Sequence, residues 1–176
     1  MALFNGPKWS AGLVAVAGLG GIVGPAFGAG TNSFVPALAG GTNSFAAPAD
    51  FDCDGRADIS RKLHNGVWVV DLSSVNGFGR HDVVYPGYGG STAVPVPADY
   101  DGDCKADLSV KGADGVWYID YAFDGFGAWN AMLPGYGAPS AVPVPADYDG
   151  DGRADLSVKS PDGDWFIDYA SDGFGA

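Results

Sequence analysis

The chain has 176 residues, including 29 Gly and 12 Pro, and its 21 acidic residues outweigh 9 Lys and Arg to give a net charge of −12. This length suffices for one domain with a sizeable core, while the Gly and Pro content indicates many turns and short strands rather than a helical bundle. The charge argues against nucleic acid as a partner, because phosphate binding requires a basic patch.

Residues 1–26 form an apolar N-terminal extension, in which one Lys precedes a run rich in Ala, Gly, Val and Leu. The run resembles a secretory signal peptide, and its glycines disfavour a transmembrane helix. From Trp9 to Ala49 there is no charged residue, and such a segment exposes a large apolar patch unless a partner covers it. We therefore expect a buried assembly segment between subunits and no membrane association of the mature protein. An uncleaved signal or membrane anchor is the alternative.

Three copies of one Asp-rich loop follow, starting at Asp50, Asp99 and Asp147. They read DFDCDGRADIS, DYDGDCKADLSV and DYDGDGRADLSV, and each has Asp at loop positions 1, 3, 5 and 9. Four carboxylates so close together repel one another unless a cation lies between them, and Ca²⁺ accepts flexible all-oxygen sites more readily than Mg²⁺. Each loop is therefore predicted to bind one Ca²⁺, up to three per chain.

The predicted ligands of each ion are the four carboxylates and the main-chain carbonyl at position 7. In chain order these residues are Asp50, Asp52, Asp54, Arg56 and Asp58; Asp99, Asp101, Asp103, Lys105 and Asp107; and Asp147, Asp149, Asp151, Arg153 and Asp155. Three divalent ions would reduce the net charge to about −6. An EF-hand is excluded, because that loop needs a Glu at position 12 between two helices and the chain contains no Glu.

The loops belong to longer repeats, whose starting points are separated by 49 and 48 residues. Each loop runs into an alternating strand pattern, ADISRK or ADLSVK, then a Trp (Trp68, Trp117 or Trp165), and later a GFG tripeptide. This recurrence resembles the FG-GAP/VCBS-type repeats of β-propellers, including those of integrin α subunits. The resemblance covers residues 48–176 and implies four-stranded blades, calcium at blade-edge loops and extracellular use.

We therefore predict an all-β fold of three propeller-type, four-stranded blades. The repeats span residues 50–98, 99–146 and 147–176, and the third stops after its GFG without the second half of a blade. Residues 27–49 carry the matching pattern, with an FGA start, a central Pro and a PAD end. The chain is thus circularly permuted relative to its repeat, and residues 27–49 are expected to complete the third blade.

The repeat number bears on assembly, because propellers usually have four to eight blades. Three blades either close an unusually small ring or form an open array, in which the N-terminal strands of one copy complete the last blade of another. The open array is head-to-tail and non-closing, so it produces filaments. We expect an extracellular or cell-surface structural protein whose partners are copies of itself. A secreted or surface adhesin or lectin-type module that binds glycan or protein is the alternative.

Two cysteines occupy successive loops, Cys53 at position 4 and Cys104 at position 6. Neighbouring blades would bring these positions together, so in an oxidising compartment a disulfide is expected; two free thiols are the alternative. Cys104 also stands where the other loops have Gly. Because that position is expected to need a positive φ, the second loop is the least regular of the three.

The repeated aromatic residues are assigned structural roles. The three Trp lie in alternating strands and are expected to pack in the core rather than to form a sugar-stacking platform. Tyr88 and Tyr136, in the PGYG turns, are expected to make surface contacts.

The remaining polar candidates give no sign of catalysis. Asp71, Asp120 and Asp168 recur once per repeat and are expected to pair with Arg or Lys or to cap a turn. His64 and His81 occur in the first repeat alone and belong to no triad or metal-ligand pattern. We therefore expect no enzymatic activity.

Overall fold

A computed structural model describes residues 44–175 of the chain. They form three antiparallel β-sheets, one after another in sequence, with almost no helix. This confirms the all-β fold class. The extension 1–26 and residues 27–43 of the segment predicted to complete the third blade lie outside the described residues.

The sheets share one strand order, in which sequence neighbours pair. The first contains β1 (Ser44–Ala46), β2 (Ile59–Leu63), β3 (Trp68–Asp71) and β4 (Val83–Tyr85). The second contains β5 (Val94–Pro95), β6 (Leu108–Lys111), β7 (Trp117–Asp120) and β8 (Ala131–Leu133). The third contains, among the described residues, β9 (Val142–Pro143), β10 (Leu156–Lys159) and β11 (Trp165–Asp168). An Asp-rich loop joins the first two strands of each sheet.

Short turns set the register of each sheet. The turn between the second and third strands contains Gly66, Gly115 or Gly163, with φ of 85°, 87° and 99°. These values suit glycine because it has no Cβ to clash with the backbone. After the third strand comes a single helical turn: α1 (Ser73–Asn76) in the first repeat, and 3₁₀ turns at Ala122–Asp124 and Ala170–Asp172 in the others. The described part of the chain contains no helix with the length and hydrophobicity of a transmembrane span.

The position of β1 corrects one sequence prediction. Residues 27–49 were predicted as a block to complete the third sheet, but Ser44 pairs with Leu63 of β2, and β1 opens the first sheet. The reason is local: Ala49 bridges to Asp58 across the loop, with the Asp58 N–H donating to the Ala49 carbonyl at 2.7 Å. The equivalent bridge closes the other two loops. The strand before each loop therefore lies in the same sheet as the strand after it.

The hydrophobic core of residues 44–175 is divided into two clusters, each lying between consecutive sheets. The first packs Trp68 and Val70 with Leu108 and Val110. The second packs the corresponding residues of the next pair of sheets, Trp117 and Ile119 with Leu156 and Val158. Each sheet therefore buries one apolar face only by contacting its neighbour in sequence.

The prediction that the repeated Trp residues pack in the core is confirmed for two of the three. Trp68 and Trp117 are fully buried, and each indole N–H donates to a carbonyl, that of Tyr88 at 3.0 Å and that of Tyr136 at 2.9 Å. Trp165 is instead 53% exposed. Its sheet is the last of the three described sheets, and no further sheet of these residues covers it.

The surface role predicted for Tyr88 and Tyr136 is wrong. Both rings are half-buried against the core clusters, and both hydroxyl oxygens are shielded from solvent. The cause is the bond just described, because the carbonyl of each Tyr accepts the indole N–H of a buried Trp and holds the PGYG turn against the core. Burial raises the pKa of both phenols.

Candidate metal centres

Each Asp-rich loop curls around the carboxylate at its first position. Positions 4 and 6 have left-handed backbone, with φ of 65° at Cys53 and 80° at Gly55 in the first loop. Their N–H groups therefore point at Asp50, and Cys53 donates to Oδ1 at 2.7 Å and Gly55 to Oδ2 at 2.9 Å. The other two loops repeat both bonds around Asp99 and Asp147. The Asp at position 1 thus orders the loop, as Asp does in Asx turns.

The carboxylate at position 9 ties the loop to the rest of its sheet. Asp107 is buried and accepts two main-chain N–H bonds, from Tyr100 at 2.8 Å and from Ala122 at 2.9 Å. Tyr100 is in the loop, whereas Ala122 begins the helical turn after β7. Asp58 and Asp155 accept the equivalent pairs of bonds in their repeats.

Burial makes ionisation of Asp107 costly in the absence of a cation. It raises the pKa of this carboxyl to about 7, although the two main-chain bonds oppose the shift. A nearby divalent ion would favour the ionised form and reverse that balance. The position-9 carboxyl is therefore where a bound cation would change the electrostatics most.

Positions 1, 3 and 9 converge in all three loops. Their carboxylate oxygens lie within 4.8 Å of one another, forming three triads that can each hold a metal ion. The triads are Asp50, Asp52 and Asp58; Asp99, Asp101 and Asp107; and Asp147, Asp149 and Asp155. The sequence prediction of three separate acidic metal-binding clusters thus agrees with the geometry in nine of its carboxylates.

The position-5 carboxylates, also predicted as ligands, are outside these triads. Asp54, Asp103 and Asp151 each accept the N–H of position 7, contributed by Arg56, Lys105 and Arg153 respectively at 2.8 Å. Asp151 also forms an ion pair with the Arg153 guanidinium at 2.7 Å. The Arg153 N–H and guanidinium lower the pKa of Asp151. The carbonyl ligands predicted at position 7 stay a prediction.

Serine hydroxyls bind two of the position-3 carboxylates, and these serines are not among the site residues predicted from sequence. Ser74, in α1, donates to Oδ2 of Asp52, and Ser171 donates to Oδ2 of Asp149 at 2.6 Å. The corresponding residue of the second repeat is the exposed Phe123. The available signal was the segment directly before GFG, which reads SVN, FD and SD in the three repeats and shows a hydroxyl at this place in the first and third repeats alone.

A disulfide joins the first two loops. Cys53 and Cys104 are bonded across 51 residues of sequence, with Cα atoms 5.4 Å apart, which is the pairing expected from their loop positions. The loops also share a main-chain bond from the Ala106 N–H to the Asp50 carbonyl at 2.6 Å. The second and third loops repeat that bond, from Ala154 to Asp99 at 2.6 Å, with glycines at the cysteine positions.

The repeated Asp after each Trp caps the GFG turn. Asp71, Asp120 and Asp168 each accept a main-chain N–H from the final glycine of that tripeptide at 2.8 to 2.9 Å. This confirms the turn-capping role among the two that the sequence left open. The two histidines are not part of any described acidic cluster; His64 is exposed and stacks on Phe45.

Comparison with protein-family models, with curated proteins and with solved structures gives no match to this chain.

Proposed function

We propose that the protein is a calcium-binding structural subunit that polymerises head-to-tail into an extracellular filament, and that it is not an enzyme. The observation that carries this proposal is the third sheet. There β11 pairs with β10 and with no other strand of the described residues, whereas β3 and β7 each have a fourth strand beside them. An unpaired edge of this kind is a template for a strand from another chain.

The exposed side chains of β11 support strand addition. Trp165, Phe166 and Ile167 are all exposed large hydrophobic residues, and they line a groove of about 600 Å³ with Leu133 and Tyr136. In the proposal, residues 27–43 of a neighbouring copy fill this edge, and the apolar extension, residues 1–26, is buried along the same contact. Propeller-type blades would then continue from one copy to the next.

The Asp triads support calcium as the bound ion. Each offers oxygen ligands only, and the flexible loops suit a large ion with irregular coordination better than Mg²⁺. The net charge of −12 is concentrated in these loops, so ion binding removes repulsion that the fold otherwise carries. The disulfide supports an oxidising, extracellular location.

Chelation tests the calcium proposal. Purified full-length protein should contain up to three Ca²⁺ per chain by elemental analysis. Excess EDTA should lower its free energy of unfolding. The expected loss is about 4 kcal/mol for each site that was saturated by free Ca²⁺ at a thousand times its Kd. Adding Ca²⁺ back should restore the melting curve, and equal Mg²⁺ should restore it less. No bound metal together with an unchanged melting curve in EDTA would refute the calcium sites.

Electron microscopy tests the filament proposal. Negatively stained full-length protein should show fibres, and a variant lacking residues 1–43 should show discrete particles, because it retains β1 but lacks the donor segment. A peptide of residues 27–43 should cap the ends of growing fibres and shorten them. Fibres from the truncated protein would exclude the N-terminal segment as the donor.

A second candidate, a glycan-binding module, is favoured by one surface feature. Trp129 is 52% exposed, packs edge-on against Tyr118 at 6.2 Å between ring centroids, and lines a cavity of about 680 Å³. Exposed aromatic rings of this kind stack on sugars. Discrete particles whose tryptophan fluorescence responds to oligosaccharides, with the response lost in Trp129→Ala, would support this function instead.

A further inference from the structure

We propose that the contact between two copies has the same geometry as the contact between consecutive sheets within one chain. The outer face of the third sheet of one copy would pack on the outer face of the first sheet of the next. This inference rests on the proposed head-to-tail polymer and specifies its interface.

The outer face of the third sheet exposes residues that the repeat elsewhere buries. Trp165 is 53% exposed, whereas Trp68 and Trp117 are buried against the following sheet. Tyr148 is 40% exposed, whereas Tyr100, its counterpart in the second loop, is 2% exposed. This face therefore carries the apolar residues of a core cluster but lacks the second sheet that would cover them.

The outer face of the first sheet, which points away from the second sheet, exposes residues that would form the other side of such a cluster. Ile59 is 56% exposed, whereas its counterparts Leu108 and Leu156 are each 1% exposed in the two clusters. Ala57 is exposed, whereas Ala106 is buried. Ile59 and Ala57 thus have buried counterparts at the internal junctions, whereas Arg61 stands where the other sheets have the buried Val110 and Val158. The two faces therefore match in their apolar residues and differ at this one charged position.

The same exposure argues for a second copy rather than closure within one chain. If the first and third sheets of one chain packed together, Ile59 and Trp165 would be as buried as Leu108 and Trp117. Both are more than half exposed in the single chain. A face and its complement on two different sheets of one molecule produce a heterologous contact between copies.

The repeat also supplies the register of the strand that would complete the third sheet. In the second sheet, Ala131 and Leu133 of β8 pair with Ile119 and Trp117 of β7. The sequence Asn32-Ser33-Phe34-Val35 aligns with residues 130–133. In the proposed strand addition, Ser33 of a neighbouring copy would therefore lie opposite Ile167 and its Val35 opposite Trp165.

The residue before that strand strengthens the assignment. Asn130 donates its N–H to the Ile119 carbonyl at 2.8 Å, and its side-chain oxygen accepts the Tyr121 N–H at 2.6 Å. Asp82 makes the same two bonds before β4. Asn32 has the same two groups, a main-chain N–H that would donate to the Ile167 carbonyl of a neighbouring copy and a side-chain oxygen that would accept the Tyr169 N–H of that copy. An Asn or Asp thus precedes the fourth strand of both four-stranded sheets of the described residues.

The disulfide provides a direct test of this geometry. It links position 4 of one loop to position 6 of the next. Between copies, the equivalent positions are Gly150 in the third loop and Gly55 in the first loop of the following copy. Both glycines have φ near that of the native cysteines, 81° and 80° against 65° and 71°, and a Cβ added at either meets nothing within 4 Å. Cysteine therefore fits each place.

The experiment uses the full-length Gly150→Cys/Gly55→Cys variant, oxidised after assembly and run on a denaturing, non-reducing gel. We expect a ladder of covalent multimers extending beyond trimers and collapsing to monomer on reduction. The matched control is Gly152→Cys/Gly55→Cys, which places both new thiols at position 6 and should give at least tenfold less ladder.

A ladder no stronger than that of the control, in a protein that still forms fibres, would overturn this interface and leave the proposed filament standing. A cross-linked monomer would show closure within one chain and overturn it as well.

A second pair of variants covers the case in which the double-cysteine protein does not fold. Ile59→Asp puts a charge on the proposed contact, whereas Val75→Asp puts one at a residue of equal exposure in α1. We expect Ile59→Asp to reduce the sedimentable polymer at least tenfold and Val75→Asp to leave it unchanged. Equal polymer from the two variants would overturn the interface, while absence of polymer from the unaltered protein would instead refute the proposed function.

Discussion

The second and third sheets have nearly the same sequence and very different surroundings. LSVK strands and Trp-led strands occur in both, with the same register between them. Yet Trp117 and Ile119 are fully buried, while Trp165 and Ile167 are exposed. The difference shows that burial in this protein is a property of the junction between sheets and not of the individual repeat.

The largest expected difference between these sheets is in the energetic contribution of their Trp residues. Trp117→Ala should lower the free energy of unfolding by about 3–5 kcal/mol, because it opens a cavity in the second cluster. Trp165→Ala should cost under about 1 kcal/mol in an Ile59→Asp background that keeps copies apart. Urea denaturation of both variants measures the contrast. Equal losses would show that Trp165 is covered within the single chain.

The next contrast concerns the junctions between loops, of which one carries a disulfide. Replacing both cysteines by Gly, the residue found at these positions in the other loops, removes the bridge. It also removes the backbone strain of a positive φ at two non-glycine residues. We expect a loss of about 2–4 kcal/mol, since the bridge closes a long loop of the unfolded chain. Conversely, Gly102→Cys/Gly152→Cys should add a bridge at the second junction and raise the urea midpoint. Free-thiol titration verifies that each bridge has formed.

The pH dependence of stability distinguishes the metal-free from the metal-bound second loop. Because burial raises the pKa of Asp107 to about 7, above its unfolded value, the folded metal-free protein binds more protons than the unfolded chain in this range. Its stability in EDTA should therefore rise, on the order of 1–2 kcal/mol, as the pH falls from 8 to 5. With saturating Ca²⁺ the trend should reverse, because protons then compete with the ion.

The Asp107→Asn variant is the control for this effect. Subtracting its unfolding free energy, measured at the same pH values in EDTA, isolates the contribution of this one carboxyl. A pH profile in EDTA that is identical in both proteins would show that Asp107 does not titrate in this range.

The smallest expected contrast lies in the serine that supports the position-3 carboxylate. Ser171→Ala should weaken Ca²⁺ binding at the third loop by about 1 kcal/mol, the typical value of one hydrogen bond. Phe123→Ser should introduce the same support at the second loop and strengthen its binding by a similar amount. Calorimetric Ca²⁺ titration of the two variants compares them. Unchanged affinity in both would show that the hydroxyls are incidental to the sites.

The parts of the structure that were predictable from sequence are those encoded locally. The Asp spacing, the glycines of the loops and the alternating strands identified three acidic clusters and an all-β fold. The disulfide also followed from loop positions once consecutive repeats were taken as neighbours. In each case the determining residues lie within one repeat or at equivalent places in two.

The predictions that failed depended on what each segment contacts. The three-residue strand β1 has too little sequence to specify its partner, which is set instead by closure of the loop that follows. Tyr88 is drawn inward by a bond from Trp68 that no periodicity reveals.

The single disulfide has a mechanical consequence for a filament built as proposed. Each copy would contribute three sheet-to-sheet junctions to the fibre, and only the one between its first and second sheets is covalently closed. Under tension, the other two would open first, since hydrogen bonds and apolar contacts alone hold them. Such a fibre would extend in regular steps while each disulfide-linked pair of sheets stayed intact. Reducing agents would lower the force at which the junction between the first and second sheets opens.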